Sequence, residues 1–153
     1  NNSNTISRGH IQYMSSGTGI MHSEYNKGTG TLRFLQIWIN PDQRGLKPYY
    51  GEYRYAWEER KNRFLHLVSP IGGQSPVQIN ADANIYALDL DKGLNLEFPV
   101  GAGRQAYVIQ IEGSSQLNNV TLSERDSLES VEETLNIKAI ESSHLLIIEM
   151  PKQ

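Results

Sequence analysis

The sequence predicts an all-β fold, a sandwich or barrel of short strands, and three observations predict it. Apolar residues recur with period two, as they do on one face of a strand. The apolar runs are rich in β-branched and aromatic residues. Clusters of turn formers separate them at intervals of roughly 8–12 residues, the rhythm of sandwiches and barrels.

Leu32–Ile39 is the first such run, stopped by Asn40-Pro41-Asp42. Pro41 has no N–H to give to a ladder, so the strand ends there. Phe64–Val68, Val77–Ile79, Ile85–Leu90 and Leu94–Phe98 follow, then Ala106–Ile111, Leu135–Ile140 and Leu145–Met150. Ser69–Gly73, Asp91–Gly93, Glu112-Gly113 and Glu141–Ser143 supply the turns between them. Tyr55–Lys61 is the best helix candidate, but it has no apolar stripe and strand-like sequence flanks it. Ser123–Asp126 reads as a turn. Asn1–Asn4 is polar and expected to fray. Asp42–Lys47, followed by Pro48, reads as a linker between two units, residues 1–44 and 45–153, the second beginning near Gly45. No internal repeat is visible.

Composition narrows the function classes. The chain has 153 residues, 38% hydrophobic and 20% charged, the balance of a globular protein with its own core. The net charge is −3 and no basic run exceeds a couple of residues, which argues against direct nucleic-acid binding. With no cysteine, disulfides and thiolate metal sites are impossible, and a reducing cytoplasm is the expected compartment. The longest apolar run, Leu145–Ile148, is strand-sized, so no membrane span is expected. No signal-peptide pattern opens the chain. Its first residue, Asn1, reads as something other than a native start, with an upstream part removed.

The chemistry-bearing segment is Gly9–Glu24. His22 and Glu24 are two apart, so a strand would point both to one face, where imidazole and carboxylate could take adjacent positions on a divalent cation. Gly17-Thr18-Gly19 just before them permits a sharp turn. On spacing alone, a surface strand carrying two polar residues is the commoner arrangement.

The surroundings of that pair change the balance. Gln12–Glu24 resembles the end of the N-terminal cupin of the pirin family, with its run Gly17-Thr-Gly-Ile-Met-His-Ser-Glu24. Leu35–Ile39 with Pro41, Pro48 and Tyr49 resembles the family's next strand and linker. Ser69-Pro70, Asp82–Tyr86, Arg104–Tyr107 and Leu146–Pro151 also fit.

The resemblance implies a double-stranded β-helix, the jelly-roll-like cupin, for residues 45–153, preceded by the last strands of a truncated first cupin. It also implies a mononuclear metal, iron in the best-known members, held in the first cupin by three His and one Glu. Matched onto this chain, His22 and Glu24 are ligands, and Glu24 is also the candidate proton acceptor. The family's His-x-His pair has no counterpart here, so this chain alone is expected to hold no metal tightly. The implied activity of the parent is that of a quercetin 2,3-dioxygenase acting on a flavonol-like molecule, with this chain inactive by itself. The alternatives are a metal- or redox-responsive regulator that binds a transcription factor or metabolic enzyme, and a structural fragment without activity.

Met14, Ile20 and Met21 are candidates for the pocket lining. Unpaired strands from the truncated cupin are expected to give a homodimer or to retain the N-terminal piece. His10 reads as a turn residue, His66 as a packed strand histidine and His144 as an exposed hairpin residue. Glu52, Arg54 and Glu58–Lys61 read as a solvated charged face. Gly101–Gly103 is a glycine turn before Arg104, lacking the strand-to-helix setting of a dinucleotide site. No metal cluster is expected in the second cupin.

Overall fold

The computed structural model describes residues 4–153, so most of the polar start Asn1–Asn4 lies outside it. The described residues form twelve strands and one 3-10 turn. These are β1 (His10–Ser15), β2 (Tyr49–Arg54), the 3-10 turn Trp57–Arg60, β3 (Leu65–Pro70), β4 (Val77–Ile79), β5 (Asn84–Leu90) and β6 (Asn95–Phe98). There follow β7 (Arg104–Glu112), β8 (Ser115–Leu117), β9 (Val120–Leu122), β10 (Ser127–Val131), β11 (Leu135–Ala139) and β12 (Ser143–Pro151).

Strands β10-β7-β12-β5-β3-β4 make a six-stranded sheet, β6-β11-β8-β9 a four-stranded one, and β1-β2 a separate ribbon. Neighbours pair antiparallel throughout, except β3 with β4.

Strand alternation builds two cores on the large sheet. Leu88 and Leu90 of β5, Val108 of β7, and Leu145 and Ile147 of β12 face the small sheet, whose Leu117, Leu122, Leu135 and Ile137 meet them. Ile85, Ala87 and Ile148 face the other way. They pack with Leu67, Val68 and Val77, under Ile11, Tyr13, Tyr53, Tyr55 and Trp57 from the ribbon and its exit. Each fully buried Leu or Ile contributes about 1.5–3 kcal/mol. The central strands are covered on both faces, which is why Ile85–Leu90 and Leu145–Ile148 read as near-continuous apolar runs.

The all-β expectation holds, and the departures have physical reasons. Leu32–Ile39 forms no strand: residues 16–48 carry none, and Leu32, Phe34, Leu35, Ile37 and Trp38 are exposed, Trp38 to 84%. Their alternation meets the needs of a buried strand, but a strand exists only where a partner completes its ladder, and no described residue does so. Strands β2, β8, β9 and β10 escape a reading of apolar runs because they are short or polar, and neighbours hold their register. Tyr55–Lys61 contains a single 3-10 turn.

The charged stretch is not uniformly solvated. Arg60 is only 2% exposed, with its guanidinium over the Trp57 ring. His144 is not an exposed hairpin residue either. Its side chain is 11% exposed, because β12 begins at Ser143 and alternation points His144 toward the ribbon side, edge-on to Trp57.

Candidate functional site

The glycines before His22 form the expected turn. Gly19 N–H donates to Ser16 O (2.6 Å), with Gly17 and Gly19 at positive φ. A side chain at Gly17 would run into the Leu46 carbonyl, so glycine lets this turn approach the 46–48 segment. Beyond the turn, His22 and Glu24 lie in exposed chain without secondary structure. Ile20 and Met21 beside them are exposed, whereas Met14 is half-buried in β1.

The donor chemistry is right for a divalent cation but the set is incomplete. Protein metal sites take three or four protein ligands converging on one point. Among the described residues, no three His, Cys, Asp or Glu are gathered to hold a metal. The donors among the described residues therefore do not by themselves fit a tightly held ion.

Three other polar groupings appear. At one end of the large sheet, Arg104 of β7 embraces Glu149 of β12 through Nε and Nη2, and its Nη1 donates to Asp82 (2.6 Å). Asn84 Nδ2 donates to Glu149 (2.8 Å), and its Oδ1 lies 3.0 Å from His66 Nε2. His66 stacks on Tyr86, so it is the packed strand histidine expected from sequence. Burial alone would raise the Glu149 carboxyl, but the hydrogen bonds from Arg104 and Asn84 outweigh it and hold it below its ordinary value. A guanidinium, not a metal site, occupies this carboxylate.

The second grouping surrounds Trp57. Arg60 and Arg8 both lie over its ring, at 3.4 and 4.6 Å from the centroid. Arg8 pairs with Glu112, and Arg60 Nη2 is 3.6 Å from Asp89. Burial first, then the Arg60 charge, pushes His144 down to about 4. A shallow hollow of about 400 Å³, lined by Arg8, Arg54, Tyr55 and Trp57 among others, opens beside this cluster.

The third grouping joins the two ribbon strands. Gln12 Nε2 donates to Tyr50 OH (3.2 Å), and Tyr50 donates in turn to Glu52. Asn4 Nδ2 donates to the second Glu52 oxygen (2.8 Å). Apolar runs gave no hint of this network; its only sequence signal is polar residues alternating with Ile11, Tyr13 and Tyr53.

Comparison with known proteins places these features. Residues 66–150 match the family described as the quercetinase C-terminal cupin domain, and residues 1–39 match the family described as pirin. The chain belongs to the pirin family. A Pseudomonas aeruginosa protein provisionally named quercetin 2,3-dioxygenase is 41% identical over 144 residues, covering 93% of this chain and 62% of its own length. Quercetin 2,3-dioxygenase of Escherichia coli K12 is 31% identical, covering 98% of this chain and 64% of its own length. Two crystal structures of the bacterial pirin YhhW from E. coli superpose. One, in complex with nickel(II), has a TM-score of 0.82 at 28% identity and covers 95% of this chain and 62% of its own. The other has a TM-score of 0.88 at 26% identity and covers 99% and 64%. The chain thus spans a little under two thirds of the relatives it matches. The nickel in YhhW agrees with a metal cofactor in the family.

Proposed function

We propose that this pirin chain serves a metal-dependent dioxygenase that opens flavonol-like substrates, and that it contributes His22 and Glu24 to the metal shell. His22 supplies a neutral imidazole nitrogen. Glu24 supplies an anionic oxygen that can also accept the proton of a bound hydroxyl. The observation that carries the reading is the His22-Ser-Glu24 triplet behind the Gly17–Gly19 turn, within the segment matched to pirin. Relatives named quercetin 2,3-dioxygenase supply the substrate class. With two donors on exposed chain, the chain by itself is inactive in this reading.

The alternative, a metal- or redox-responsive regulator of a transcription factor or metabolic enzyme, rests on no residue of the structure. The test is oxygen consumption with quercetin by the metal-loaded full-length protein, wild type against Glu24→Gln. Metal-dependent uptake that falls at least tenfold in the variant supports the dioxygenase. No uptake with any of iron, nickel, manganese or cobalt would overturn it.

A further inference from the structure

The amino-terminal strap, residues 4–9, crosses the exit of the ribbon before it enters β1. Tyr55 N–H donates to Gly9 O (3.2 Å), and Gly9 lies so close to Trp57 that a Cβ there would meet its ring at 3.4 Å. Arg8 covers that ring, its guanidinium carbon 4.6 Å from the centroid, and reaches across to Glu112 at the end of β7. An ion pair thus ties the strap to the six-stranded sheet, with Trp57 beneath it.

His144 sits beside the same carboxylate. On β12 it is paired with Glu112 of β7 on one side and with Asp89 of β5 on the other. Its Nδ1 is buried without a partner among the described residues, 4.0 Å from Glu112 Oε2, the oxygen that Arg8 holds. The other charges around it are Arg60, which caps Trp57 and faces Asp89 (3.6 Å), and Lys61, which pairs with Asp89 and Asp91. Arg54 and Glu58 line the hollow beside Trp57.

A proton on His144 upsets this balance. Nδ1–H then becomes a charged donor facing an acceptor that is already taken, and a third cation joins Arg8 and Arg60 around Trp57. Glu112 stays ionised, because the Arg8 hydrogen bond above all holds its carboxyl below the ordinary value. Solvation decides which group gives way. The Arg8 side chain is 58% exposed, against 3% for Arg60 and 11% for His144, so Arg8 is the cation that exchanges its partner for water at little cost. Its departure takes one like charge from His144 and frees Glu112 Oε2 to accept from Nδ1–H.

We propose that Arg8, Glu112 and His144 form an acid-released latch, in which protonated His144 takes Glu112 from Arg8 and the strap lifts from Trp57. The latch stands independently of the dioxygenase reading. Closed, it holds His144 down at about 4, first by burial and then by the Arg60 charge; open, it lets the group rise toward its ordinary 6.5. Release and protonation therefore favour each other, and the ratio of open to closed grows up to about tenfold per pH unit as pH falls between those values.

Acrylamide quenching of Trp57 in the 153-residue chain tests it, in a Trp38→Phe background that leaves Trp57 as the sole tryptophan. Trp38 is exposed, so its replacement leaves the core intact. Accessibility is read instead of intensity, because an imidazolium beside an indole quenches it without any opening. From about pH 7.5 to about pH 4.5 the quenching constant should rise at least about twofold, with the far-ultraviolet circular dichroism of the strands unchanged. His144→Gln should keep the low value throughout, and Arg8→Gln should show the high value already at the upper pH. A constant that does not rise before the dichroism is lost, a rise that persists in His144→Gln, or an Arg8→Gln chain that matches the background at the upper pH would overturn the latch. Should His144→Gln fail to fold, Arg8→Gln, altered at an exposed side chain, and the pH response of the background decide it.

Discussion

Arg60 lies against the face of Trp57, its guanidinium carbon 3.4 Å from the ring centroid, in a place only 2% open to solvent. Its charge is compensated by Asp89 at 3.6 Å and by the indole quadrupole. Arg60→Ala and Trp57→Ala should each lower stability by about 2–4 kcal/mol, because each leaves a buried partner uncovered. The double variant should lose less than the sum by about 1 kcal/mol, read from urea unfolding. Strict additivity would show that the stacking contributes nothing.

His144 gives the fold an acid-sensitive term. Burial and Arg60 push it from its ordinary 6.5 down to about 4, so between those values the unfolded chain binds a proton that the folded chain refuses. The contribution is fully present above pH 6.5 and is lost as pH falls toward 4, by up to about 3 kcal/mol. Melting temperature against pH should therefore drop over that window in wild type and less steeply in His144→Gln. Parallel curves would remove His144 as the cause.

Metal content follows from the count of donors. After dialysis, this chain should hold well under one equivalent of iron, nickel, zinc or manganese, because two exposed donors do not close a shell. A stoichiometric ion lost on His22→Ala would contradict this. In the full-length protein, apo forms of wild type, His22→Ala and Glu24→Gln should melt together and separate only when metal is added.

Association is the fourth expectation. Leu32, Phe34, Leu35, Ile37 and Trp38 are exposed, and β1 has one unpaired edge. Such surfaces seek cover, so light scattering should give a concentration-dependent dimer. A monomer of 17.3 kDa at high concentration would refute it.

How much of this was legible beforehand differs between the two halves of the chain. Ile85–Leu90 and Leu145–Met150 announced themselves because both of their faces are buried. Ser127–Val131 did not, since a short strand beside β7 takes its register from its neighbour more than from its own composition. Leu32–Ile39 shows the opposite failure, a pattern composed for burial whose partner strand is not among the described residues. In the site, the His22/Glu24 spacing is visible in the sequence, whereas the hydrogen-bonded network of Gln12, Tyr50 and Glu52 is not. It joins residues some forty positions apart through a ribbon register that no local periodicity encodes. Arg60 departs from the charged-face expectation for a related reason: its position on a 3-10 turn aims it at Trp57, whereas charge alone points to solvent.

The ribbon also redraws where the molecule can be divided. β1 belongs to the pirin-matched stretch 1–39, yet its hydrogen bonds run to β2 and its apolar face is seated on the quercetinase-type cupin. A cut anywhere in residues 16–48 would break the polypeptide without parting the pieces. The short amino-terminal peptide would stay docked as a non-covalent strand. A nicked sample should thus melt as one body, because β1 keeps its pairing with β2 and its seat on the large sheet.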